Sequence, residues 1–351
     1  MDRSWWRWAR PLGGAVILVV LLVRLGGGPV VDAFRATDAR SLVAGAAVAA
    51  VTTMCAAWRW RLVARRLGVE LSLPSAVAAC YRAQFLNVTL PGGVLGDIDR
   101  GVHHGRRVGD LGRGLRAVAW ERTSGQVVLG VITVSALIMA RPFTSPSLAV
   151  PALGLVAAGL LVLGARRVAR NGRSGVGQRV ARVVATDARA LLVPAASVGI
   201  VVASLAVVAG HLATFVIAAG VVGVRMPVVT LLPVALLVLL VSALPLNLAG
   251  WGPREGAAAW AFAAAGLGAT QGLAVAVAYG TIVFVATLPG AVLLLVGRSR
   301  WSPSRMPSGA LRGDRGGIPA AAGATPGTLA VADAPPGTLA AADAARGGAH
   351  G

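Results

Sequence analysis

Long stretches without a single charge constrain this chain more than any other feature. Gly256 to Gly297 carries no Asp, Glu, Lys or Arg, and neither does Ala190 to Val224 or Met226 to Pro253. A helix needs roughly 20 apolar residues to cross the hydrocarbon of a bilayer. The first stretch therefore has room for two crossings, divided by a Gly/Gln-rich hinge at Gly266 to Gly272, and the other two have room for one each. With 56% hydrophobic and 13% charged residues and a mean hydropathy of +0.75, the 351-residue chain carries more apolar surface than a soluble domain of its size buries. Lipid has to cover the rest.

Further candidate spans precede these. Leu12 to Val31 is interrupted only by Arg24, whose long stem lets it snorkel. Ser41 to Trp58, Ala117 to Ala140 and Ser147 to Ala165 follow. Cations cluster between the spans: four arginines from Arg59 to Arg66, five from Arg100 to Arg116, seven from Arg166 to Arg189, then Arg298 and Arg300. The positive-inside tendency reads these as cytoplasmic loops and places both termini in the cytoplasm of a cell (cytoplasmic) membrane protein.

Residues 74–99 fit no simple span. The stretch is mostly apolar, yet it holds Arg82, Gln84, Asn87 and the break Pro91-Gly92-Gly93, and it ends in Asp97 and Asp99. A full crossing would put the next basic loop on the wrong side, so a re-entrant segment is expected. Backbone that leaves the helix at membrane depth survives only where protein or a wet cavity covers it. The break thus predicts an internal cavity.

A second break has the same spacing. Leu90-Pro91, Gly96 and Arg100 read Leu-Pro-x4-Gly-x3-Arg, and so do Leu244-Pro245, Gly250 and Arg254. Paired Gly/Pro interruptions in the two halves of a membrane protein point to a substrate site at a repeat interface. The competing reading is that Pro and Gly merely end helices and the arginines anchor them at the surface. The expected fold is all-α: a polytopic transmembrane helix bundle of about eight spans, with two re-entrant or broken-helix segments related by an internal repeat.

The formal charge of +20 does not indicate nucleic acid, because the cations sit in short clusters rather than along one groove-sized face. All 33 basic residues are arginine, which excludes the lysine of a Walker loop and any lysine Schiff base. Neither a HExxH run nor a GxSxG elbow occurs. Cys55 and Cys80 lack metal-ligand spacing. No enzyme activity, no cofactor and no metal is expected. His103 and His104 in a basic loop, and His211 alone in an apolar helix, read as solvated or structural.

Two blocks resemble the transmembrane region of lysylphosphatidylglycerol synthases, whose stand-alone members are flippase-like proteins. The first is Phe85-Leu-Asn87-Val-Thr-Leu-Pro91-Gly92-Gly93-Val-Leu-Gly96-Asp97-Ile-Asp-Arg100, with the acid-arginine pair Glu121-Arg122 on the next helix. The second is Leu244-Pro245-Leu-Asn247-Leu-Ala-Gly250-Trp-Gly252-Pro-Arg254-Glu255-Gly256. This chain has Leu95-Gly96-Asp97 where the family usually has Gly-Gly-Asp. The resemblance covers roughly residues 10–298. It implies a domain associated with moving a modified phospholipid between leaflets, the aminoacyl transfer belonging to a separate cytoplasmic domain for which this chain has no room.

The expected organisation is a cytoplasmic anchor over 1–11, a flippase-like transmembrane domain over 12–298 and a disordered cytoplasmic tail over 299–351, rich in Pro, Gly and Ala. Glu121-Arg122 and Arg254-Glu255 are read as lying near cytoplasmic helix ends. There guanidinium groups hold a lipid phosphate, and the acids neutralise them when the site is empty; the alternative is a pair of salt bridges that fix the bundle. Asn87 and Asn247 are expected to satisfy backbone groups freed by the prolines rather than to touch substrate. The partners expected are membrane lipids, a phospholipid or a polyprenyl-linked glycolipid. Two other roles stay open: a scaffold for a membrane glycosyltransferase or lipid-modifying enzyme, and a transferase using Glu121 or Glu255 as base.

Overall fold

The computed structural model describes residues 16–139, 175–244 and 250–299. The regular elements among them are helices: α1 Val16–Leu25, α2 Gly28–Ala36, α3 Ala39–Arg66, α4 Leu73–Thr89, α5 Leu95–Arg107, α6 Leu111–Met139, α7 Gly175–Leu191, α8 Pro194–Val221, α9 Val228–Ser242, α10 Pro253–Ala264 and α11 Ala269–Ser299. The anchor over 1–11, the crossing at 147–165 and nearly all of the tail lie outside the described residues, as do Pro245 and Asn247.

Four of these helices, α3, α6, α8 and α11, are long and apolar enough to cross a membrane, and the bent pair α1 and α2 makes a fifth at most. The chain is a multi-pass membrane protein, but about eight spans are not found among the described residues. Three expected spans differ for local reasons. Leu12 to Val31 is no straight helix: the chain turns by 95° between α1 and α2, where Gly26 takes a φ of +76° that other residues rarely adopt. Met226 to Pro253 yields α9, a helix of 15 residues, about 22 Å long at 1.5 Å per residue and short of the hydrocarbon thickness. Gly256 to Gly297 supplies one crossing rather than two. The preceding α10 has only 12 residues, and the expected hinge forms at Gly266 and Gly268, both at positive φ.

Two basic stretches read as loops are helical. α3 is capped by Asp38, whose carboxylate accepts the Ser41 N–H at 2.9 Å, and continues unbroken through Arg59, Arg61, Arg65 and Arg66. The described part of the seven-arginine segment forms α7. This amphipathic helix is tied to α6 through Asp187, which accepts Arg116 Nε at 2.9 Å and Trp120 Nε1 at 3.2 Å.

The first proline break is present where expected. α4 ends at Thr89, Leu90 is extended, Pro91 offers no N–H, and Gly92 and Gly93 turn the chain at φ +92° and +60° into α5. The second lies between α9 and α10. Despite their shared spacing the two breaks differ in helix register. Gly96 and Arg100 both lie inside α5, whereas Gly250 precedes α10 and Arg254 is its second residue. The spacing repeats in sequence without repeating in local structure.

α11 is the hub of the bundle and packs against α2, α3, α4, α8 and α10. One core joins Phe215, Phe262, Tyr279 and Ile282, and another gathers around Trp60 and Val63. Lipid tails are as apolar as leucine, so helices in a membrane gain from close packing rather than from escaping water. Glycines at the crossings permit it: a Cβ on Gly290 would lie 2.2 Å from the Tyr81 carbonyl oxygen, and one on Gly114 would lie 2.4 Å from the Gly105 nitrogen.

Candidate functional site

A cavity of about 300 Å³ opens among α3, α4, α5, α6, α8 and α11, and both breaks contribute to its wall. Asn87, Gly93 and Arg100 line it from the first, and Gly250, Pro253 and Arg254 from the second. The breaks also meet directly. Gly250, at φ +82°, sits so close to the end of α4 that a Cβ there would lie 3.1 Å from the Val88 carbonyl oxygen.

The first break is braced by its own side chains. Asn87 Oδ1 accepts the Gly96 N–H at 2.8 Å, and its Nδ2 donates to Asp97 Oδ2 at 3.0 Å. A freed backbone donor is thereby satisfied, as expected of an amide beside a break. Gly96 is buried against α4, where a Cβ would lie 2.1 Å from the Ala83 carbonyl oxygen. Gly93 lines the cavity, while Pro91 is exposed and Gly92 half-buried at the turn.

Glu121 is the centre of the charge network. It was expected near a cytoplasmic helix end, but it lies well inside the long helix α6 and is 1% exposed. Its Oε1 accepts Arg59 Nε at 3.0 Å and also Arg59 Nη2, while its Oε2 accepts Arg100 Nη2 at 2.5 Å. Arg100 Nε donates to Asp97 Oδ1 at 3.1 Å, and Arg122 Nη2 reaches the same oxygen at 2.8 Å. Three guanidiniums and two carboxylates thus form one connected cluster, with Ser204 accepting Arg59 Nη1 at 3.1 Å.

A second, smaller cluster stands at the start of α10. Glu255 Oε2 accepts the Gly252 N–H at 2.6 Å and so caps the helix, while its Oε1 accepts Arg254 Nε at 2.9 Å and Nη2 at 2.5 Å. The Arg254 guanidinium lies 5.4 Å from the ring centres of both Trp251 and Tyr279. The Tyr279 hydroxyl lies 3.0 Å from His211 Nδ1. Arg100 is held in the same way over Trp60, at 4.7 Å.

Glycines make room for both clusters. A Cβ on Gly125 would lie 2.7 Å from Arg59 Nη1, and one on Gly280 would lie 2.3 Å from Arg254 Nη2. Arg59 and Arg254 are seated against bare helix backbone, and all four guanidiniums of the two clusters are held by acids. Arg59, Arg100, Arg122 and Arg254 all line the cavity, whereas Glu121 is the one carboxylate doing so among the described residues. Asp97 and Glu255 stand behind. Four cations outnumber the three carboxylates that neutralise them, and the wall of the cavity is basic.

Several of these residues were not assigned to the site from sequence. Arg59 was assigned to a loop on charge count alone. A closer signal existed, since Thr52, Ala56, Arg59 and Val63 fall on one helix face, and that face is the inner one. Gln84, bonded to Thr53 Oγ1 at 3.2 Å, lines the cavity from α4. His211 and Tyr279 meet from helices 68 positions apart, a pairing without a local sequence signal.

No curated protein and no solved structure matches the chain. The family model described as the lysylphosphatidylglycerol synthase TM region matches residues 8–290, a range that takes in both breaks and every side chain on the cavity wall. Covering most of the sequence, that match establishes that the chain belongs to the lysylphosphatidylglycerol synthase transmembrane-region family.

Proposed function

We propose that this protein is a flippase-like carrier that binds the phosphate of a phospholipid or polyprenyl-linked glycolipid in its internal cavity and moves that headgroup across the bilayer. The observation that carries the reading is the wall of four guanidiniums around about 300 Å³ of space between two broken helices. Planar guanidiniums recognise phosphate through paired N–H donors. The volume is at the lower end of the range for small-molecule pockets, which suits a headgroup rather than a whole lipid. An isolated charge at the bilayer centre costs at least about 2.5 kcal/mol even on insertion scales, so a headgroup needs such a polar path.

The acids give the carrier an empty state. Glu121, Asp97 and Glu255 hold the guanidiniums in place without an anion, and a phosphate competes for the same N–H donors. This reading assigns no covalent step to the chain. On the positive-inside tendency, this reading puts the N- and C-termini in the cytoplasm.

The test is a leaflet-asymmetry assay in reconstituted vesicles with a headgroup-labelled phosphatidylglycerol and a labelled polyprenyl-phosphate sugar. The wild-type protein is expected to move at least one of them, and Arg100→Ala and Arg254→Ala to slow it while still inserting and eluting as folded protein. Loss of neither rate nor binding in both variants would remove the guanidinium wall from the mechanism. An inert protein that co-purifies strictly with a membrane enzyme would instead support the scaffold role.

A further inference from the structure

The composition of the cavity wall bears on what else the headgroup carries. An ammonium buried beside cations needs a carboxylate, a free aromatic face or a set of carbonyl oxygens to receive it. Among the described residues the one carboxylate on the wall is Glu121, shared by Arg59 and Arg100, and a phosphate that displaced it from either would only bring four cations into balance with three carboxylates and itself, leaving no negative charge to spare. Asp97 and Glu255 are engaged in the same way behind the wall. The undescribed stretch 245–249 contains no acid.

The aromatic rings are equally committed. Trp60 is covered by Arg100, and Trp251 and Tyr279 are both covered by Arg254. The remaining polar side chains on the wall are neutral, among them the Gln84 and Asn87 amides, the hydroxyls of Thr52, Thr53, Thr214, Ser242 and Thr287, and His211, and the rest of the lining is apolar. Groups of this kind exchange hydrogen bonds with hydroxyls.

We infer that the headgroup taken by this cavity is a phosphate ester with net negative charge whose remaining polar groups are hydroxyls, as in a polyol or a sugar, and that headgroups bearing an ammonium are excluded. The inference rests on the phosphate-binding reading above and narrows it. Specificity of this kind comes as much from the unpaired charge imposed on the wrong ligand as from contacts with the right one. It sets this chain apart from a carrier of a lysylated lipid, whose two added ammonium groups would find only neutral amide and hydroxyl oxygens beside four like charges.

The experiment uses the full chain in phosphatidylcholine nanodiscs and follows binding through its tryptophan fluorescence. Four lipids are titrated separately: phosphatidylglycerol, a polyprenyl-phosphate hexose, phosphatidylethanolamine and lysyl-phosphatidylglycerol. At least one of the first two is expected to bind, and which of them does so identifies the source of the headgroup. The two ammonium lipids are expected to bind on the order of a hundredfold more weakly, the penalty for leaving a buried charge unpaired. Gln84→Glu, which adds a carboxylate to the wall, is expected to narrow that gap, and Ser242→Asp on another helix provides the same test if the first variant does not fold. A general attraction of anionic lipid to the +20 surface would be unmoved by either change. Equal binding of lysyl-phosphatidylglycerol and phosphatidylglycerol overturns the inference and leaves the phosphate-binding reading standing. No binding of any of the four overturns both.

Discussion

Replacing Glu121 by glutamine removes one negative charge from the middle of the bundle and leaves the shape of the side chain intact. The Glu121 side chain is 2% exposed and faces two guanidiniums that are themselves 6% and 3% exposed. At about 4 Å between charge centres and an effective dielectric of about 20, each pair is worth roughly 4 kcal/mol in Coulomb energy. The two arginines do not lose equally. Arg100 keeps Asp97 at 3.1 Å, whereas Arg59 keeps only the neutral hydroxyl of Ser204. The net cost is therefore close to that of stranding one buried charge, about 3–5 kcal/mol. In thermal unfolding of detergent-purified protein this corresponds to a fall in Tm on the order of 5–15 °C. A further variant separates the pair from general damage: Arg59→Met combined with Glu121→Gln removes the stranded cation and should recover most of the loss, because a buried ion pair is often replaced by apolar side chains at little cost. A Glu121→Gln protein melting within about 2 °C of wild type, or a double variant no better than the single one, would refute the reasoning.

Two further expectations concern packing and pH. Gly290→Ala sets a methyl group 2.2 Å from the Tyr81 carbonyl oxygen, which cannot yield as a side-chain tip would, and should cost about 1–3 kcal/mol; Gly130→Ala, with nothing within 4 Å, should be neutral or stabilising by up to about 1 kcal/mol, and parallel melting curves check the contrast. At Asp38 the Ser41 N–H holds the carboxyl below its ordinary value of 3.8, so the stabilisation from the ionised cap is full above that value and disappears as pH falls through the lower folded value. The Tm difference between wild type and Asp38→Ala should accordingly be constant from neutral pH down to about pH 4 and shrink below it.

How much of this was legible in the sequence depends on how local each feature is. The helical class, the presence of membrane-spanning helices and the break at Pro91-Gly92-Gly93 follow from runs and residues that act within a few positions, and the structure contains four helices of spanning length and that break. Span lengths were less legible, because hydropathy alone cannot tell a 15-residue helix from a full crossing. α9 is as apolar as a span yet runs only from Val228, after Pro227, to Ser242, and α10 is bounded by Gly252 and Gly266, both at positive φ. The cavity wall was half legible. Arg100 and Arg254 stood out through their spacing from proline, but an arginine that marks a cytoplasmic end and one that faces a buried acid look the same in a charge count. Arg59 was misplaced for that reason. Its partner Glu121 is 62 positions away, and only the packing of α3 against α6 brings them together.

The same comparison explains how two breaks with one spacing serve different ends. In the first, the helix restarts before Gly96, so the glycine becomes a packing surface against Ala83 and Arg100 projects from inside α5 toward Glu121 on another helix. In the second, the helix restarts after Gly252, so Arg254 lies in the first turn and its acid is the adjacent residue, Glu255, which also caps that turn. One arginine is thus tied to the bundle and the other to its own short helix. Drawing Arg254 away from Glu255 breaks an ion pair within one short helix, against the Trp251 and Tyr279 rings that also hold it, whereas drawing Arg100 away from Glu121 loosens a contact between α5 and α6 to which Arg59 of α3 is also tied. Of the two arms that meet at the cavity, the second is built to yield first.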